Sequence, residues 1–96
     1  MSRKCIHLRT KVDGKELPTG GYTVAFEHSD EGVRFAISMC RKTQRFSATL
    51  GEKVAKERLL SNCLLQDTST FINTLNTLNA KLCVGASKPF TQKDIA

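Results

Sequence analysis

Apolar and polar residues alternate along three stretches of the first forty residues, and a period of two is typical of strands with one buried face. The stretches cover residues 5–12, 22–27 and 33–40. An Asp-Gly turn follows the first, whereas residues 15–21 contain a proline and two glycines and are predicted to be a loop. The second and third stretches form a hairpin, and their aligned apolar residues predict that both cover one core. The residues assigned to that core face are Tyr22, Val24, Phe26, Val33, Phe35, Ile37 and Met39, and Ala25 and Ala36 fall on the opposite face.

The spacing changes to that of helices after Cys40. Residues 41–45 form a polar connector, and Ser47 is a candidate N-cap for a helix over residues 48–62. The predicted buried stripe of this helix consists of Leu50, Gly51, Val54, Ala55 and Leu59. A second helix is predicted over residues 69–84. The apolar row that it turns toward the core is Phe71, Ile72, Leu75, Leu78, Leu82 and Cys83.

These elements predict an α+β fold, with a three-stranded antiparallel β-meander followed by two α-helices packed on one face. The 96 residues are enough for one domain and leave no room for a second core. We expect residues 1–85 to form this domain and residues 86–96 to be a flexible C-terminal tail, which Phe90 and Ile95 could hold against the domain.

The four cysteines stand at positions 5, 40, 63 and 83 and form no Cys-x-x-Cys pair. The first dozen residues lack the continuous apolar segment of a signal peptide, and no stretch has the length of a transmembrane helix. We therefore expect reduced thiols in a cytoplasmic protein that does not enter a membrane. Neither a metal site nor a cofactor is expected.

Positive charge is concentrated at the junction of the connector and the first helix. The formal net charge is +6, and the densest group of cations is Arg41, Lys42, Arg45, Lys53, Lys56 and Arg58. These residues are candidates for binding nucleic acid or an acidic partner, because a helix N-terminus adds free N–H groups that favour anions. The alternative is that they only keep the surface soluble.

The outward face of the second helix is polar but nearly uncharged. Its candidate interface residues are Asn73, Asn76, Thr77 and Asn79. Such a face can pack against another protein without burying net charge, although a neutral surface without a partner explains it equally well. Self-association of the chain is left open.

No P-loop, Gly-rich dinucleotide loop, HExxH or GxSxG motif is present, and neither histidine has an obvious catalytic setting. His7 lies on a strand beside Arg9, and His28 lies in a hairpin loop with Glu27 and Asp30 nearby. Adjacent side chains in a turn more often solvate each other than catalyse. We therefore expect no catalytic residues and no enzyme.

One segment resembles a pattern in small uncharacterised proteins of tailed bacteriophages and prophages. The resemblance covers residues 35–59 and rests on Phe35-Ala36-Ile37-Ser38-Met39-Cys40, Gln44-Arg45-Phe46-Ser47, Gly51, Ala55 and Arg58-Leu59. The chain departs from the pattern at Arg41-Lys42-Thr43, where such proteins favour Pro-Lys-Asp. The resemblance implies a small accessory protein that acts in the bacterial cytoplasm on a host factor or a defence system.

The leading hypothesis is a non-enzymatic, phage-encoded interaction protein that binds and modulates a host protein or a protein–nucleic-acid complex. The alternative is direct nucleic-acid binding by the basic junction. Helix-turn-helix, ribonucleoprotein and zinc-finger motifs are absent from the sequence.

Overall fold

The computed structural model describes residues 3–85 and 88–95, and it confirms an α+β fold. The elements run in the order β1 (Lys4–Val12), β2 (Lys15–Ser29), β3 (Gly32–Arg45), α1 (Ala48–Ser61), β4 (Leu64–Gln66), α2 (Thr68–Leu82), β5 (Cys83–Val84) and α3 (Gln92–Ile95).

The strands form one mixed sheet in the order β4-β3-β2-β1-β5. Its centre is the predicted antiparallel meander of β1, β2 and β3. Two short strands that the alternation did not indicate extend it on either side. β4 pairs antiparallel with Val33–Phe35 of β3, and β5 pairs parallel with Lys11 and Val12 of β1.

The predicted loop over residues 15–21 is strand in the structure, and so is the predicted connector over residues 41–45. The sheet accommodates both through a break in pairing at Gly20 and Gly21, which have φ of 79° and 134°. A Cβ on Gly21 would lie 2.5 Å from the carbonyl oxygen of Leu8, so only glycine fits there. The sheet curls where these bulges occur.

The two long helices lie on opposite faces of the sheet, and the prediction that both pack on one face is wrong. α2 covers the face with the large apolar side chains, where the Phe71 ring packs at a tilt against Phe26 and Phe35, with ring-centroid distances of 5.4 Å and 5.0 Å. The buried residues on this side are Leu8, Val24, Phe26, Val33, Phe35, Phe71, Leu75 and Ile95. Phe26 and Phe35 are therefore in the core, as predicted, and Tyr22 is partly buried against it.

α1 covers the other face, where a second, smaller core consists of Ala25, Ala36, Ala55 and Leu59. Small side chains on both the strands and the helix let their backbones approach closely, and this contact needs no wide apolar stripe. The alternation counted Ala25 and Ala36 with the polar positions of the strands. It therefore predicted that this face of the sheet is exposed to solvent.

Both helices begin at a side-chain cap. Ser47 Oγ accepts from the backbone N–H of Leu50 at 3.2 Å, which confirms the predicted first cap. Asp67 Oδ1 accepts from the N–H of Thr70 at 2.7 Å at the start of α2, and this hydrogen bond lowers the pKa of the Asp67 carboxyl. None of the described helices is long and apolar enough to cross a bilayer.

The described part of the predicted tail, residues 88–95, packs against the domain. Ile95 is buried in the larger core, and Phe90 packs beside it. The side chain of Asn76 holds the backbone of Phe90 at two points, accepting from its N–H at 2.7 Å and donating to its carbonyl at 3.3 Å. Residues 86, 87 and 96 of that tail lie outside the described residues.

Candidate partner-binding site at the end of the third strand

The end of β3 projects Arg41, Lys42 and Arg45 away from the sheet. Cys40 pairs with Gly21 and Arg45 pairs with Thr19, so four residues of β3 stand opposite the single residue Gly20. These extra residues have to arch out, and all three cationic side chains are exposed.

Phe46 fixes the chain directly after this arch. Its N–H donates to the carbonyl of Pro18 at 2.9 Å, and the Arg9 guanidinium lies 4.2 Å from the centre of its ring. The ring also meets His7 edge-on at a centroid distance of 5.6 Å and rests against Gly21. Arg9 Nε, a buried donor without a hydrogen-bond acceptor in the described chain, belongs to this stacked guanidinium. These contacts anchor the chain between Arg45 and the start of α1.

The six predicted cations differ in the contacts that they make within the described chain. Lys53 and Lys56 are three residues apart and lie on one side of α1, whereas Arg58 is turned away from Lys56 by about 160°, because successive helical residues are turned by about 100°. Lys56 Nζ lies 4.0 Å from the Glu52 carboxylate, and Arg58 donates to the carbonyl oxygen of Ile37 at 2.8 Å. Lys56 and Arg58 therefore have partners within the described chain.

Arg41, Lys42 and Arg45, which we call the strand-end cations, lack a charged partner within residues 3–85 and 88–95. Other arginines are neutralised locally, as Arg3 is by Glu27 at 2.9 Å and Arg9 by Glu16 at 3.2 Å. The strand-end cations also make no side-chain hydrogen bond in this part of the chain, so their charge faces outward.

A cleft of about 320 Å³ opens beside the strand-end cations, between α1 and the outer part of β3. We call it the α1–β3 cleft, and its lining includes Ser38, Met39, Cys40, Gln44, Arg45 and Leu50. Leu50 is 60% exposed on the α1 side of the sheet. Met39 is 62% exposed, and because it pairs with Tyr22 its side chain lies on the α2 side, beside Arg41 and Lys42. Two large apolar side chains therefore meet solvent on the two faces of this end of β3.

Sequence reasoning missed this apolar element. It placed Leu50 in the buried stripe of α1, which is wrong, and it counted Met39 with the core residues of β3. Alternation gives the face on which a side chain lies but not how far the covering helix extends. One signal in the sequence was Phe46, which immediately precedes the Ser47 cap. An apolar residue at that position often fixes the angle at which the chain enters a helix.

Two of the four predicted interface residues on α2 contact other parts of the chain, and two are exposed. Asn76 already holds Phe90, and Asn79 Oδ1 lies 3.6 Å from the Cys83 sulfur. Asn73 and Thr77 are exposed, with the Thr77 hydroxyl donating to the Asn73 carbonyl at 2.8 Å. The interface prediction stays a prediction for these two.

His7 lies between two groups that could orient a catalytic base. Its Nδ1 is 3.1 Å from Thr23 Oγ1, and its Nε2 is 3.5 Å from Glu52 Oε2. Thr23, however, is 1% exposed, and Gly51 packs directly over it, so its hydroxyl is closed to a substrate. The neighbouring Cys5 is a free thiol whose pKa is raised, chiefly by burial, which keeps it protonated and a poor nucleophile.

His28 Nε2 lies 3.1 Å from Thr68 Oγ1 at the start of α2. Across the described ranges, no three His, Cys, Asp or Glu side chains gather as metal ligands. All four cysteines are free.

No protein-family model, curated protein or solved structure matches this chain.

Proposed function

We propose that the chain is a non-enzymatic binding protein whose ligand is an acidic region of a partner protein. The observation that supports this most directly is the juxtaposition of the strand-end cations, which have no charged partner in the described chain, with the exposed apolar side chains of Met39 and Leu50. Arginine and methionine are enriched in protein interfaces, where an apolar centre is surrounded by a polar rim.

The same surface is less suited to nucleic acid. Recognition of single strands depends on aromatic rings that stack on bases, and Phe26, Phe35 and Phe71 are all buried in the core. Phosphates need cations but do not need the exposed Met39 and Leu50. Direct nucleic-acid binding is therefore the second candidate, and its support is the strand-end cations at the N-terminus of α1.

The resemblance of residues 35–59 to small phage and prophage proteins supports a bacterial host factor as the partner. Binding to such a factor, or to its complex with nucleic acid, would modulate it without chemistry in this chain. In this proposal the cytoplasm of the bacterial host is where the protein acts.

The test is charge reversal at the strand-end cations. The triple variant Arg41→Glu, Lys42→Glu, Arg45→Glu and the wild type are titrated with two probes, poly-glutamate and duplex DNA, over a range of salt concentrations. We expect poly-glutamate to bind the wild type in a salt-sensitive manner and the triple variant at least about tenfold more weakly, since each tenfold is about 1.4 kcal/mol.

A matched control reverses the same number of charges elsewhere. Lys15→Glu, Lys81→Glu, Lys93→Glu also removes all of the formal net charge of +6, but from exposed positions away from β3's end. Equal losses in both triple variants would show attraction by total charge and contradict the proposal. Tight binding of DNA, with a linear dependence of log K on log salt and loss in the first variant only, would favour the second candidate.

A further inference from the structure

β3 has an outer edge without a partner strand beyond the short contact with β4. In the part of the chain that the structure describes, the pairing of β3 with β4 ends at Phe35, while β3 continues to Arg45. Among residues 3–85 and 88–95, the one neighbouring strand of residues 36–40 is therefore β2.

The direction of the backbone groups along this edge follows from one hydrogen bond. Arg58 donates to the carbonyl oxygen of Ile37, so the backbone groups of Ile37 point away from β2. In an antiparallel sheet the N–H and C=O of alternate residues point to the same side. Met39 therefore also turns its N–H and C=O outward, and nothing in the described chain pairs with them.

Charge and apolar surface surround this edge. Arg58 lies at the Ile37 end, and Arg41 and Arg45 lie at the other end, after Cys40. Along one face runs the α1–β3 cleft, with Leu50 exposed in its lining, and on the other face the side chain of Met39 is exposed beside Tyr22. Such an edge offers main-chain hydrogen bonds, a small apolar recess and cations at both ends.

A second copy of this chain is a poor occupant. Antiparallel pairing of two such edges about Met39 would place Ile37 of one copy opposite Arg41 of the other. Since Arg58 is bonded to Ile37, this register would bring the Arg58 and Arg41 guanidinium groups of the two copies together. Cations on an edge strand oppose this kind of self-pairing, and they attract carboxylates instead.

We propose that an extended acidic segment of the partner protein adds to the sheet as a strand beside residues 37–39 of β3. This inference rests on the proposed function and names the form in which the partner binds. The N–H of Ile37 and both backbone groups of Met39 pair with the segment, and an apolar side chain of the segment enters the α1–β3 cleft. Carboxylates on either side meet Arg41 and the guanidinium nitrogens of Arg58 that do not bond to Ile37. Strand addition gives affinity through the main chain and specificity through alternate side chains.

The probe is a synthetic peptide of about seven residues that alternates glutamate with valine, so that one face carries carboxylates and the other is apolar. The same peptide with lysine in place of glutamate is the charge control. Binding is followed by fluorescence anisotropy, and the exchange of backbone amides is followed by NMR in the free and bound protein.

The decisive variant is Met39→Pro, which removes the outward N–H of Met39. Proline is tolerated on edge strands whose N–H faces solvent, so the fold should persist. The matched control is Met39→Ala, which removes the side chain and keeps the N–H. We expect Met39→Pro to bind the glutamate peptide at least about tenfold more weakly than Met39→Ala does, and the Met39 amide of the wild type to become protected on binding.

Equal affinities of Met39→Pro and Met39→Ala, together with an unprotected Met39 amide, would overturn strand addition and leave the proposed function intact. Should Met39→Pro fail to fold, protection of the wild-type Met39 amide decides alone. Unchanged peptide binding by the strand-end triple variant would instead contradict the proposed function. Equal binding of the lysine peptide, or a dimer that Met39→Pro abolishes, would exclude an acidic segment as the occupant.

Discussion

Gly51 lies where α1 crosses the buried side chain of Thr23, and this contact leaves no room for a Cβ. An added Cβ would stand 2.3 Å from Thr23 Oγ1 and 3.0 Å from Thr23 Cβ. Thr23 has little freedom to move, because it is 1% exposed and its hydroxyl is within hydrogen-bonding distance of His7. The absence of a side chain at this one position lets α1 approach the sheet.

We predict that Gly51→Ala destabilises the protein by about 1–2 kcal/mol, although alanine is the better helix former by about 1 kcal/mol. The steric overlap with Thr23 outweighs the gain in helix propensity. Chemical denaturation of the two proteins measures the change, and Lys53→Ala on the exposed side of α1 should have almost no effect. In a Thr23→Ala background the loss from Gly51→Ala should shrink. A more stable Gly51→Ala protein would show that α1 lies farther from the sheet.

At the scale of elements, short contacts attach segments that have little structure of their own. α3 contains only the residues Gln92–Ile95, too few for a helix that is stable alone. It is held by Ile95 in the core and by the hydrogen bonds between Asn76 and Phe90. An asparagine that looks like part of an open helical face is therefore part of the fold.

Asn76→Ala removes both hydrogen bonds to Phe90, and we expect it to destabilise the protein by about 1–2 kcal/mol. The amide of Phe90 should lose its protection from hydrogen exchange, since its acceptor at 2.7 Å is gone. Asn73→Ala, on the exposed side of α2, is the control and should leave exchange at Phe90 unchanged. An equal rise in exchange in both variants would mean that the side chain of Asn76 does not hold this segment.

For the molecule as a whole, the curled sheet separates two cores of unequal size. The larger contains the phenylalanines under α2, and the smaller consists of alanines and Leu59 under α1. The sheet keeps the side chains of the two cores apart. A change in one core should therefore reach the other only through the backbone of the strands.

This arrangement predicts additive effects of substitutions in the two cores. Leu59→Val and Leu75→Val should each destabilise the protein by about 1 kcal/mol, and the double variant should equal their sum within about 0.5 kcal/mol. As a comparison, Leu75→Val combined with Phe71→Leu, within the larger core, should couple. Coupling between Leu59 and Leu75 that matched this comparison would mean that the two helices share one core.

The sequence alone was sufficient for the features that depend on local periodicity and capping. The alternation in β1, β2 and β3 and the helical spacing after Ser47 and Asp67 predicted the meander, both long helices and the buried Phe26 and Phe35. Each of these depends on residues close together in the chain, so a short window contains the whole signal.

What only the tertiary structure decided depends on residues far apart in the chain. β4 and β5 are too short to show a hydrophobic period. The position of α1 on the second face of the sheet depends on alanines, which contribute little to a pattern of apolar and polar residues. The candidate site divides in the same way. Its cations could be located by composition, and the pair of Lys56 with Glu52 is local to α1. The contact of Arg58 with Ile37 and the open edge at Met39 depend on how α1 packs on the sheet and where β4 ends.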